Sequence, residues 1–529
     1  MPPGEVRETM LRFSVYDRGK PADQIDLAGA YVFGQDGIPV RADLAAGAGQ
    51  ITCMKRVPGA CGLALVWQAG ESGRLLLPTT RLPERTEPYI LNVELARARL
   101  MRIIQKCEDW GLFDFSDAEA LNQEFASMRD TFISSLKAAD PAEAAALADD
   151  TLARSVTLGE KFALFHADIF LTRRKALPGG AGRMIFGVVT DLRASADNVK
   201  ERVRETFDFV SVPMPWKHTE PRENQHHHTQ VDAWVNWATR NRKPVLAGPL
   251  LSFEPTQLPE WLYIWEHDYE TLRDLVYEHV QRVVERYKSH VRVWNVVSGV
   301  HAFNSFNLTF ERLMELTRMS CLQVKKIAPR AQVMIELAMP WGEYYARNQR
   351  TIPPMLYADM AVQSGIKFDA FGIQLFLGAP VDGHYVRDLM QISTMLDEFL
   401  SFGKPCHITA CQVPSANTPD PGDAWEGQAN PAKAGQWHSP WSPRLQAEWL
   451  QAFCRIGLSK PFVESICWRD LADTPGHYLP HGGLCDADMT PKLAYRELRN
   501  FKIQLLTGAE AAGVRPEPEP PVEGAAEGK

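Results

Sequence analysis

The chain has 529 residues, 45% hydrophobic, 23% charged and 10% aromatic, with a formal net charge of −8. That length exceeds one ordinary hydrophobic core and predicts two or three domains. The acidic balance gives no general attraction for nucleic acid or an anionic membrane surface, and no apolar run approaches the roughly 20 residues that span a bilayer. Short basic clusters at 173–175 and 240–243 read as solvated helix ends. The first ten residues hold no apolar run of the kind a signal peptide needs. Nine scattered cysteines without a CxxC pair predict reduced thiols rather than disulfides or a metal site. A cytoplasmic protein without cofactor is the expectation.

Residues 1–90 read as short strands. The run from Leu11 to Tyr16 alternates, as do parts of 29–33, 50–54 and 62–67, and Gly and Asp-Gly turns separate them. This spacing predicts a small all-β sandwich, a fold that serves sugar binding in some proteins and purely structural contact in others. From 91 to 178 the pattern changes. Leu91, Val93, Leu95, Leu100, Ile103 and Ile104 form an apolar stripe, and an Ala-rich segment follows Pro141. Two or three long helices are expected there, as a helical linker region ended by the breaker Pro178-Gly-Gly-Ala-Gly182.

Between residues 179 and 507 strands and helices alternate as a (β/α)8 barrel requires. Candidate strands fall at 184–189, 209–212, 244–248, 291–297, 332–336, 370–374, 406–409 and 465–468. Most are continuous apolar runs, the pattern of parallel strands covered on both faces. In 269–287, Leu272, Leu275, Val276, Val280, Val283, Val284 and Tyr287 share one helical face. The Pro- and Glu-rich tail 508–529 is expected to be disordered.

Several barrel segments resemble glycoside hydrolase family 10, the xylanase family. Val291-Arg-Val-Trp294-Asn295-Val-Val-Ser298-Gly299 is similar to the fourth strand and loop that read W-D-V-V-N-E in that family. Met214-Pro215-Trp216 with Glu220-Pro221 resembles its E-N-x-M-K-W and E-P, with Ser211, Val212 and Pro215 at the Glu, Asn and Lys positions. Gly248-Pro249 through Glu254, then Leu258-Pro-Glu-Trp261, resembles G-H-T-L-V-W-H and L-P-x-W without either histidine. Phe371-Gly-Ile-Gln374 resembles I-G-L-Q, followed by Phe376 where the family has histidine. Ile408-Thr-Ala410 stands where the family has I-T-E, and 484–495 resembles its closing motif, after a tryptophan matched by Trp468.

The resemblance implies an O-glycosyl hydrolase barrel of endo-1,4-β-xylanase type with a carbohydrate ligand at its C-terminal face. It also places Gly299 at the general acid/base and Ala410 at the nucleophile. Retaining glycosidases need two carboxyl groups about 5–5.5 Å apart, and neither residue carries one. The pattern reads as a catalytically degenerate barrel that binds carbohydrate. The alternatives are hydrolysis by displaced carboxylates, and a structural or assembly protein with a vestigial cleft.

Among carboxylates at strand ends, Asp191, Glu254, Glu336, Asp470 and Asp473, register favours Glu336 as a substitute acid. Each is otherwise expected to serve a neighbouring Arg or backbone amide. Flat aromatic faces suit pyranose rings, so Trp216, Trp437, Trp441 and Trp468 join Gln374 as candidate substrate contacts. The Pro-, Gly- and Trp-rich segment 413–443 has the composition of a lid. His226-His227-His228 lacks a third ligand at a metal-site spacing, so no metal is expected, and Cys411 with His407 is awkwardly placed for a catalytic pair. An exposed helical pair leaves room for a homo-oligomer.

Overall fold

The computed structural model describes residues 9–113, 116–176 and 186–505. The first eight residues, the breaker at 178–182, the start of the first predicted barrel strand and the tail 508–529 lie outside them.

Eight strands close into a barrel in chain order. They are Phe186–Val189, Phe209–Val212, Val245–Ala247, Val291–Ser298, Gln332–Leu337, Ala370–Phe376, Cys406–Gln412 and Val463–Trp468. All pair in parallel. Helices cover the outer face, so both sides of each strand are dry and the strands read as apolar runs. The lumen is packed by alternating inward residues, among them Phe209, Leu246, Val293, Met334 and Cys467. Gly187 makes room for one of them, since a Cβ there would lie 2.3 Å from the Phe209 ring.

The helix Tyr269–Tyr287 begins at Asp268, whose side chain accepts from the Thr271 amide, and buries Leu272, Val276, Val280, Val283 and Val284. Two of the register shifts near the barrel mouth flank the strand ends that carry polar side chains. One lies between Asn295 and Val297, the other between Ile373 and Gln374. Each inserts an extra residue into the ladder, which re-aims the side chains beyond it.

The N-terminal region holds small sheets and three helices. One sheet has four strands, in the order Tyr89–Ile90, Thr9–Ser14, Gln50–Lys55 and Ala42–Gly47. Another has five, and its edge strand Gln436–Trp437 comes from the barrel segment 413–443, antiparallel to Gly73–Pro78. The helices are Leu91–Asp109, Glu119–Lys137 and Pro141–Ala176. The last packs along the barrel helices Leu389–Glu398 and Pro443–Ser459.

Buried ion pairs lock this junction. Arg99 donates to both Asp388 oxygens at 2.7 and 2.9 Å, with both side chains buried. Gly159 leaves the passage for Arg99, because a Cβ there would lie 2.5 Å from its Nη2. Among the described residues no helix is long and apolar enough to cross a membrane. All nine cysteines are unpaired and buried.

Candidate active site at the barrel mouth

Strands four, five and six bring three polar side chains together at their C-terminal ends. Glu336 is buried, and its Oε2 accepts from the Ser298 hydroxyl and from Gln374 Nε2 at 2.8 Å. Gly372 sits beside it on the next strand, where a Cβ would lie 3.1 Å from Glu336 Cβ and Cγ. The missing side chain gives the glutamate stem its space.

Glu254 follows strand three. Burial pushes its carboxyl up, Thr256 and the Arg469 guanidinium oppose that, and the charge of Glu336 adds to it. The two carboxylates are therefore near enough to feel each other's charge.

Strand eight ends with Arg469 just beyond it. Ser465 pairs with the lumen residue His407, and Cys467 lies in the lumen cluster. Alternation then turns Arg469 inward as well. Its amide donates to the Cys411 carbonyl at 3.0 Å, and its guanidinium carbon lies 5.5 Å from the Tyr478 ring centroid.

Aromatic groups wall the mouth. His384 Nε2 lies 3.0 Å from the Tyr478 hydroxyl, Phe376 stacks on His384 at 5.5 Å, and Trp425 stands 6.1 Å from Tyr478. Burial pushes the Tyr478 hydroxyl up and holds the His384 imidazole down in its neutral form. Trp425 belongs to 413–443, so that segment supplies part of this wall.

Gly299 and Ala410, expected from the sequence at the acid/base and nucleophile positions, carry no acid. Gly299 has a φ of +61°, and a Cβ on it would meet the Phe303 ring at 3.0 Å. Ala410 is buried in an apolar floor with Phe376 and Leu479, against which Trp425 and Tyr478 pack.

Three other carboxylates have partners. Asp191 pairs with Arg193, and Asp473 with Lys492 and the Gly483 amide. Asp470 accepts from Gln412 and from the Tyr478 amide at 2.9 and 2.7 Å. Cys411 is a buried thiol whose pKa burial pushes well up, while His407 bonds Ser465. His226 lies 3.5 Å from Arg282, a cation that opposes a bound metal ion.

Of the predicted substrate contacts, only Gln374 stands in this polar group. Trp216 is buried, stacked on His279 at 4.2 Å with Nε1 donating to Glu220. Trp437 is buried with Nε1 donating to Glu160 at 2.7 Å. Trp441 is buried against Gly378, and Trp468 donates to the Gly482 carbonyl at 3.0 Å. Arg469, Tyr478, His384 and Trp425 were missed from the sequence. Period-two alternation through Ser465 and Cys467 would have found Arg469; nothing local marks the other three.

A closed parallel barrel with its polar groups gathered at the strand C-termini defines the (β/α)8 class that carries many enzyme activities. Residues 179–500 match the profile described as glycosyl hydrolase family 10, and the chain belongs to that family. Endo-1,4-beta-xylanase 3 of Hypocrea jecorina is 26% identical over 266 residues, 48% of this chain and 72% of that protein. Endo-1,4-beta-xylanase 2 of Aureobasidium pullulans is 30% identical over 122 residues, 22% of this chain and 33% of that one. Among solved structures, xylanase 10B from Thermotoga petrophila in complex with xylobiose superposes with a TM-score of 0.45 at 17% identity, covering 64% of this chain and 97% of that one.

Proposed function

We propose that the barrel binds a carbohydrate at its C-terminal face and has lost the hydrolysis of its family. The observation that carries this reading is the pair Gly299 and Ala410. The first has a backbone suited to glycine and a phenyl ring where a side chain would go; the second lies in an apolar floor. Glu336 is clasped by neutral donors, and Glu254 and Trp425 stand at the rim. Nine buried, unpaired thiols suit a reducing compartment, where small oligosaccharides rather than polymers are at hand.

Purified protein incubated with aryl β-xylosides and xylo-oligosaccharides is expected to show no turnover, while calorimetric titration with xylo-oligosaccharides gives saturable heats. Turnover that Glu336→Gln abolishes overturns the loss of hydrolysis. Flat heats across the panel overturn the binding.

A second reading has one observation in its favour. Glu254, its carboxyl raised by burial, shares the mouth with Glu336, which places two carboxyls where general acid/base chemistry needs a pair. In that case Glu254→Gln and Glu336→Gln each abolish turnover of aryl β-xylosides.

A further inference from the structure

Arg469 is the charged group at the mouth whose role the fold does not explain. It projects inward from the end of strand eight, above Cys467 and between Glu254 and Tyr478. Its guanidinium makes no hydrogen bond or ion pair to any described residue, and its Nε is buried without an acceptor. Both neighbouring carboxylates that could have claimed it are otherwise engaged. Glu336 takes its bonds from Ser298 and Gln374, and Asp470 takes its bonds from Gln412 and the Tyr478 amide. Glu254 feels its charge but makes no hydrogen bond or ion pair with it.

A planar guanidinium with a free donor edge, backed by an aromatic ring, is the geometry that takes a carboxylate or phosphate by two parallel hydrogen bonds. The aromatic walls offer flat apolar faces beside that charge, as a sugar ring needs. We propose that Arg469 forms a subsite for an anionic group on the bound sugar, a uronate carboxylate or a phosphate ester. The inference rests on the carbohydrate reading and names the substrate class within it. The family positions that handled a neutral xylose have lost their acids, while this chain holds an unspent cation over the same opening.

The test is calorimetry on the full chain with three probes: neutral xylotriose, xylotriose bearing a glucuronic acid branch, and glucose 6-phosphate. The glucuronic acid-branched sugar is expected to bind roughly tenfold to a hundredfold tighter than the neutral one, the range of one charge-assisted pair. Arg469→Met removes that preference, weakening the acidic sugar at least tenfold more than xylotriose, and keeps the melting temperature. Arg469→Lys, which keeps the charge and loses the fork, retains part of it. Tighter binding of glucose 6-phosphate than of the glucuronide assigns the subsite to phosphate. Equal affinity of wild type for xylotriose and its glucuronic acid-branched form overturns the subsite and leaves the carbohydrate reading standing. Equal weakening of both sugars by Arg469→Met also overturns it, since the guanidinium then serves its neighbours. Failure of every probe to bind overturns both. Should Arg469→Met not fold, the wild-type preference and its decline with added salt still decide the question.

Discussion

At Gly299 two independent features oppose a glutamate. Its φ of +61° is a left-handed backbone, and the Phe303 ring sits 3.0 Å from where Cβ would go. The first disfavours any side chain and the second requires repacking, about 2–4 kcal/mol together. Gly299→Glu, alone or with Ala410→Glu, is therefore expected to lower stability in chemical denaturation and to give no hydrolysis of aryl xylosides. Recovery of turnover by the double variant counts against a rebuilt mouth. A different residue contributes a pH-dependent penalty. Burial pushes the Asp149 carboxyl up to about 6, although Asn92 and Trp67 donate to it. A pKa raised on folding stabilises the folded protein below the unfolded value and is lost as pH climbs through the folded one. With an unfolded value near 3.9, Asp149 costs about 2–3 kcal/mol across the window from about pH 4 to pH 6. Asp149→Asn removes this loss of stability with rising pH over that window and is the more stable protein at pH 8. An unchanged slope removes Asp149 from the account.

The barrel strands and the helix Tyr269–Tyr287 were legible because burial imposes patterns that survive in one sequence. Runs such as 209–212 can only be parallel strands with two dry faces, and a 3.6-residue stripe can only be a half-buried helix. The strand Gln436–Trp437 was not legible. Two residues carry no period, and their pairing partner lies more than 350 positions earlier, at Gly73 and Arg74. Trp437 consequently read as a sugar platform when it is an anchor. Glu160 on the long helix fastens this element: it accepts from Trp437 Nε1 at 2.7 Å and from the Leu389 amide at 3.0 Å, and pairs with His438 at 2.9 Å. Glu160→Ala leaves two buried donors without an acceptor, about 2–4 kcal/mol. It is expected to loosen 413–443, seen as faster tryptic cleavage after Lys433, whereas Glu160→Gln keeps an acceptor and shows a milder effect. Equal cleavage rates in wild type and Glu160→Ala mean that the strand holds without its anchor.

For the molecule as a whole, what matters is whether the N-terminal region is attached to the barrel or part of it. One continuous apolar core runs from Leu11 and Phe13 through Leu100, Val156 and Phe162 to Leu389, Leu445 and Trp449. The sequence could not reveal this, since helical stripes say which face is buried but not against what. Removing the N-terminal region would uncover the barrel helices Leu389–Glu398 and Pro443–Ser459 where Pro141–Ala176 covers them. It would also leave Asp388 buried without Arg99, and loss of one partner of such a pair costs about 3–5 kcal/mol before any apolar exposure is counted. Stabilities of whole domains are about 5–15 kcal/mol, so these losses are enough to unfold the remainder. The full chain is thus expected to melt in a single calorimetric transition. A fragment beginning at residue 183 is expected to be insoluble, or soluble only as a dye-binding state without near-ultraviolet dichroism. Two separated transitions, or a soluble fragment with native dichroism, would mean that the barrel stands alone and that the junction ion pairs serve only to orient its neighbour.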